Sequence, residues 1–275
     1  MSLSPRICFL DNGQNMDPGG DISGNYIELF WPSFVSATLI ALVHLLTPRF
    51  HFMRKPDNLW LPASAGVALA YVFMEIFPHL AKSQEKLVHV AENSVYGFLT
   101  HNVYLVGLVG FSIYLGVSLL VMAYREDQAT RISVRSATLL FEVEGASLAA
   151  YSFIIGYLLS EWVTHSPEPI IIFGLAMAIH FAGVDSLVRE HSPNLYDRSI
   201  RYMLTLAVYA GWIAGVVMEI SDATLALWYS FLAGGMIVVA TVYELPHIRS
   251  HRQYTSFLGG AGIFSALVLA IDYFG

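Results

Sequence analysis

The chain has 275 residues, of which 56% are hydrophobic and only 13% charged, about half the charged share of an ordinary soluble domain. Its mean hydropathy is +0.58 and its formal net charge is -7, and the 14 Lys and Arg form no long basic run. Disordered chains, coiled coils and nucleic-acid binders are poorly matched by these values. The single cysteine, Cys8, excludes an internal disulfide and a thiolate metal cluster. What remains is an all-α polytopic membrane protein, with the lipid bilayer as its first partner.

Residues 1–28 read as a polar N-terminal tail. Asn12-Gly13, Pro18-Gly19-Gly20 and Gly24 leave no continuous apolar core, so no secretory signal is expected there. Residues 29–275 read as one transmembrane domain. A hydrocarbon layer about 30 Å thick needs roughly 20 apolar residues per helix. Eight segments qualify, at about 29–48, 59–81, 101–123, 136–160, 169–188, 202–219, 223–245 and 255–274. The sixth is short and ends at Glu219-Ile220-Ser221-Asp222, so a count of seven or nine stays open.

Charge sets the expected orientation. Arg49, Arg54 and Lys55; Arg125, Arg131 and Arg135; Arg189, Arg198 and Arg201; and Arg249 and Arg252 fall in alternate loops. Only Arg6, Lys82 and Lys86 fall on the other side, among acids such as Asp11, Asp17, Asp21, Glu161, Glu168 and Asp222. Both termini are therefore expected outside.

Two segments repeat. Ala65-Gly66 precedes Pro78-His79 by eleven residues in span 2, and Ala233-Gly234 precedes Pro246-His247 by eleven in span 7. Glu75 and Glu244 stand before the prolines, offset by one position. The two spans run in opposite directions, so the copies are inverted, as in many secondary transporters. This gives a 3+2+3 bundle, with spans 4 and 5 central.

With these features the chain resembles the ZIP (Zrt/Irt-like) metal transporter family. The resemblance covers roughly residues 59–270 and implies eight spans, outside termini, the 3+2+3 inverted repeat and a metal site between spans 4 and 5. Spans 2 and 7 of that family run from a small-Gly start to a Pro-Glu, which here reads Pro-His at 78–79 and 246–247. Its span 4 pattern, His-Asn-x-x-(Asp or Glu)-Gly, corresponds to Leu140-Phe141-Glu142-Val143-Glu144-Gly145. The acidic-Gly end is kept, whereas the His and Asn are Leu140 and Phe141. One version of its span 5 pattern, His-Glu-x-Pro-His-Glu, corresponds to His180-Phe181-Ala182-Gly183-Val184-Asp185. His180 and Asp185 match the ends, Gly183 replaces the proline and Val184 the second histidine. The family's His-rich loop between spans 3 and 4 is absent, since 124–135 contains no histidine.

A charge at mid-bilayer costs from about 2.5 kcal/mol upward, so Glu142, Glu144, His180 and Asp185 need partners, water or a cation. Antiparallel packing of spans 4 and 5 puts Glu144 and His180 at similar depth, and His N with carboxylate O suits Zn²⁺ or Fe²⁺. Glu142 and Glu144 point about 200° apart, and His180 and Asp185 about 140° apart. Glu144 is favoured over Glu142, because Gly145 beside it permits close approach. The alternative is that Glu144 and Asp185 only hydrogen-bond Ser147, Ser186 or tyrosines. Glu75 and His79, one turn apart, form a second candidate pair near the outer end of span 2, with an interfacial hydrogen bond as the alternative. Glu244, His247 and His251 are read as loop anchors beside Arg249 and Arg252, and His44 as a lone group bonded to a neighbouring helix. Gly107 with Gly110 and Gly211 with Gly215 read as close-packing faces, and Trp31, Trp60, Trp162, Trp212 and Trp228 as interfacial anchors.

The expected function is a divalent metal permease carrying Zn²⁺ or Fe²⁺ into the cytoplasm without ATP. Glu144, Asp185, His180, Glu142, Glu75 and His79 are its candidate metal residues, with no prosthetic group and no catalytic residue. Two alternatives stay open: a non-transporting relative with a sensor or structural role, and a membrane zinc hydrolase built on His247-x-x-x-His251. A homodimer also stays open. The expected location is the cell membrane, the inner one in a bacterium.

Overall fold

The computed structural model describes residues 22–50, 58–87, 95–127, 134–161, 168–191, 193–218 and 220–274. Most of the expected tail, 1–21, lies outside them. The described residues contain no strand, and eight of their helices are long and apolar enough to cross a membrane. These are span 1 (Phe30–Arg49), span 2 (Trp60–Glu85), span 3 (Val103–Ala123), span 4 (Val143–Ser160), span 5 (Pro169–Glu190), span 6 (Pro193–Val217), span 7 (Asp222–Glu244) and span 8 (His251–Ile271). The chain is an all-α, multi-pass membrane protein.

Span boundaries reflect local chemistry. Span 6 begins nine residues before its expected start, because Pro193 suits a first helical turn, where its missing N–H costs nothing. It ends at Val217, with Met218 in extended conformation. Ser221 caps span 7, its hydroxyl accepting the Thr224 N–H at 3.3 Å. Spans 2 and 7 are each widened by a π turn, at Val72–Ile76 and Val239–Glu244, shortly before Pro78 and Pro246. Proline removes the N–H that would bond residue i−4 and its ring pushes on that carbonyl, so the ladder is re-registered just ahead of it. A third π turn, Tyr196–Ile200, lies near the start of span 6.

With lipid outside, burial marks the bundle axis. Span 5 is 83% buried over its most apolar window and span 8 only 11%. Leu108, Ile113, Leu120, Leu206 and Ile263 project outward, as lipid-facing side chains do. Glycines bring four pairs of spans into close contact: Gly66 meets Phe257 and Ala261 (spans 2 and 8), Gly234 meets Gly107 and Phe111 (7 and 3), Gly211 meets Phe153 and Tyr157 (6 and 4), and Gly174 meets Ser36 (5 and 1). The expected close-packing role of Gly107, Gly110, Gly211 and Gly215 is thus observed. Trp212 departs from expectation. It is 8% exposed and donates from Nε1 to Ser33 Oγ at 3.1 Å, joining spans 6 and 1 instead of anchoring at an interface. Trp162 lies outside the described residues.

A Cβ on Gly234 would collide with the Gly107 carbonyl, whereas one on Gly116 would meet nothing within 4 Å. Gly234→Ala is therefore expected to lower stability by about 1–3 kcal/mol in reversible unfolding from detergent micelles, and Gly116→Ala to leave it near wild type. Equal stability of the two variants would refute the spans 3–7 contact.

Candidate functional site

Span 5 carries two ionisable groups that are fully buried, His180 and Asp185. Five residues separate them, so they leave the helix about 140° apart, and each finds different partners.

Asp185 Oδ2 receives two hydrogen bonds, from His44 Nδ1 at 2.6 Å and from the Tyr196 hydroxyl at 2.7 Å. The Tyr196 hydroxyl also lies 3.1 Å from the His44 carbonyl. All three side chains are fully buried, so spans 1, 5 and 6 meet at one carboxylate. Phe181 packs edge-on against the His44 ring, with centroids 4.6 Å apart. Among the described residues, His44 Nε2 and Asp185 Oδ1 have no hydrogen-bond partner. Nearby, Arg189 donates in bidentate fashion to Asp197, at 2.7 and 2.8 Å, clamping the turn from span 5 into span 6.

His180 faces the other way. Its Nδ1 stands 3.8 Å from Glu244 Oε1, with both side chains fully buried. Glu244 ends the π turn of span 7. Ser64 of span 2 places its hydroxyl 3.4 Å from Glu244 Oε1 and donates to the Leu61 carbonyl at 2.8 Å. Gly183 leaves room for both, since a Cβ there would collide with Glu244 Oε1 and Ser64 Oγ. Both ring nitrogens of His180, Glu244 Oε2 and the hydroxyl of Tyr151 lack hydrogen-bond partners among the described residues. The Tyr151 and His180 ring centroids are 6.3 Å apart.

Five of the six expected metal residues have described side chains, and these are distributed over several settings. Among the described residues no three His, Cys, Asp or Glu side chains gather as metal ligands. Asp185 bonds His44 and a tyrosine, the latter as its structural alternative anticipated. Glu144, 2% exposed, lines a groove with Tyr114, Ser118, Val184, Val188 and Tyr243. Val184 and Val188 belong to span 5, the neighbour expected for Glu144, while Gly145 beside it faces Ile200 and Met203 of span 6. Ser147 donates to the Glu144 backbone carbonyl at 2.8 Å, and Ser186 to that of Gly183 at 2.7 Å. The Glu142 and His247 side chains lie outside the described residues. Glu75 falls within the Val72–Ile76 π turn, which alters the one-turn relation to His79 assumed for a regular α-helix. The His79 ring rests against Tyr229 of span 7, centroids 5.1 Å apart.

Sequence reasoning placed Glu244 among loop anchors and assigned no role to Ser64 or Tyr196. For Glu244 a signal was present: an acid two residues before a proline in the repeated segment. His44 does bond a neighbouring helix, as expected. Comparison of the chain with protein-family models, curated proteins and solved structures finds no match.

Removing one partner of a buried polar pair strands the other. Asp185→Ala is expected to cost about 3–5 kcal/mol and Tyr196→Phe about 1.5–3 kcal/mol. The double mutant is expected to fall short of their sum by about 0.5–3 kcal/mol, measured by unfolding in micelles. Strict additivity would mean that the hydroxyl and the carboxylate do not interact.

Proposed function

We propose that this chain is a ZIP-like permease that moves a divalent metal cation, zinc or iron as substrate, across the cell membrane into the cytoplasm without ATP. The observation that carries the reading is the set of four fully buried ionisable side chains, His44, His180, Asp185 and Glu244, on spans 1, 5 and 7. Ionisable groups held inside a helix bundle mark ion or substrate paths because burial costs several kcal/mol and packing alone does not call for them. Imidazole and carboxylate are ligands suited to such metals.

The inverted repeat gains support from two features that hydropathy does not contain. The offset of 168 residues that superposes Ala65-Gly66 on Ala233-Gly234 also carries the π turn Val72–Ile76 onto 240–244, inside Val239–Glu244. Exchanging spans 1, 2, 3 and 4 with 6, 7, 8 and 5 also turns the glycine contact of spans 2 and 8 into that of spans 7 and 3, and that of 1 and 5 into 6 and 4. Such a two-fold arrangement is the framework on which many secondary transporters alternate their access.

A second reading, a non-transporting membrane protein, is favoured by the absence of a three-ligand cluster among the described residues and by the satisfied Asp185 Oδ2. Uptake of radioactive zinc, and separately iron, into proteoliposomes decides between them. Saturable uptake of one of these ions by wild type, above that of protein-free vesicles, is the expected result. Folded, inserted protein that moves neither ion would leave the second reading standing.

A further inference from the structure

The polar centre between spans 2, 5 and 7 holds an imbalance of donors and acceptors. The Ser64 hydroxyl has one proton to give, and its shorter contact, 2.8 Å, is to the Leu61 carbonyl. The same hydroxyl also reaches Glu244 Oε1 at 3.4 Å, a long donor contact. His180 Nδ1 approaches the same oxygen to 3.8 Å, beyond the 2.7–3.2 Å of an N–H···O hydrogen bond. Three polar atoms from three spans therefore converge with one long donor contact among them. Among the described residues, His180 Nδ1 and Nε2 and Glu244 Oε2 are without hydrogen-bond partners, as is the nearby Tyr151 hydroxyl of span 4. Leaving fully buried polar atoms unmatched costs about 1–3 kcal/mol each, and more for a charge.

The spacing fits a small cation. Zinc binds imidazole nitrogen at about 2.0–2.1 Å and carboxylate oxygen at about 2.0–2.2 Å. Two such ligands of one ion stand about 3.3 Å apart at the tetrahedral angle and no more than about 4.3 Å when opposed. The observed 3.8 Å lies between these limits. We propose that His180 and Glu244, with the Ser64 hydroxyl oxygen, form a binding site for one divalent transition-metal cation, bridging spans 2, 5 and 7 and leaving Asp185 outside the ligand set. The ion's role as cargo rests on the permease reading; the site itself rests on the convergence of these atoms. Gly183 is required because any Cβ would occupy the space of Glu244 Oε1 and Ser64 Oγ.

Two strong ligands and a hydroxyl hold an ion loosely, as passage demands. The position also suits release. Ser64 lies about one turn, roughly 6 Å, from Trp60, where span 2 begins, and Glu244 is the last residue of span 7, so the site stands at or near that end of both spans.

The test uses purified full-length protein in detergent, with Co²⁺ as an absorbing probe and zinc binding measured by equilibrium dialysis. Wild type is expected to bind one ion with a visible ligand-field band. Glu244→Gln and His180→Ala are expected to abolish the band and zinc binding. Ser64→Ala, which removes the third and weakest ligand, is expected to weaken binding about tenfold, ~1.4 kcal/mol. Glu244→Asp, which keeps the charge and shortens the arm by one methylene, is expected to shift the band and covers the case in which the other variants misfold. Asp222→Asn, at the opposite and exposed end of span 7, is expected to bind as wild type. No binding by folded wild type, or unchanged binding in Glu244→Gln or an unshifted band in Glu244→Asp, overturns the site. Proteoliposome uptake separates the two proposals. Binding at this site without uptake defeats the permease reading only, and uptake indifferent to Glu244→Gln defeats the site only.

Discussion

Hydrocarbon offers no hydrogen bonds, so each polar group carried into it must be answered by the protein. Span 5 carries two ionisable side chains to full burial, and much of the bundle is arranged as an answer to them. Span 1 supplies His44 and span 6 Tyr196 on one side; span 7 supplies Glu244 and span 2 Ser64 on the other. The glycine contacts are what allow these spans to come close enough. Without the Gly174–Ser36 approach, span 1 would stand farther from span 5, and without Gly183 the Glu244 and Ser64 oxygens could not occupy their places. Packing and electrostatics are thus one constraint, since small residues set the distances over which short side chains must pair.

The two prolines that end the repeated segments have a parallel effect on geometry. Pro78 and Pro246 each deny a backbone donor to the turn before them, and each is preceded by a π turn. A π turn inserts one residue and rotates the helix beyond it relative to a regular α-helix. In span 7 this leaves Glu244 buried in the bundle rather than at an interface. In span 2 Ile76 takes the equivalent position and Glu75 lies one residue earlier, part-buried, with Ile76 in the core. The one-position offset between the two glutamates therefore separates an acid at the centre from an acid at the margin.

The fold was largely legible because a bilayer imposes a length and a polarity that hydropathy records directly. The eight spans and the glycine faces at 107, 110, 211 and 215 are consequences of that. The polar pairings were not legible, since they depend on which helices become neighbours. His44 is a lone histidine in its own span and acquires meaning only beside Asp185, 141 residues away. Glu144, Asp185 and His180 looked like one cluster under the assumption that spans 4 and 5 pack face to face, yet Gly145 turns towards span 6. Glu244 does stand at the end of span 7, as expected, but its full burial beside spans 2 and 5 was not visible in the sequence. Trp212 shows the same limit, since a tryptophan near a span end in sequence can still be buried against a neighbouring span.

The two centres on span 5 differ in how fully they are satisfied, and that difference separates their roles. Asp185 Oδ2 has two donors within 2.7 Å, so breaking this contact strands a carboxylate in hydrocarbon, a cost that fastens spans 1, 5 and 6 together. Around the Glu244 carboxylate the nearest polar partners among the described residues stand at 3.4 Å (Ser64) and 3.8 Å (His180), so the same low dielectric that strengthens the first centre leaves the second receptive to any added positive charge. Both lie on one helix within about 8 Å of rise. A shift or rotation of span 5 that tightened the loose centre would strain the tight one, and the tight centre thereby limits how far span 5 can move. A tight clamp through Asp185 Oδ2 and a loose acceptor at Glu244 on a single rigid element form a graded arrangement, in which the looser side has more free energy to gain and the tighter side sets the reference from which it moves.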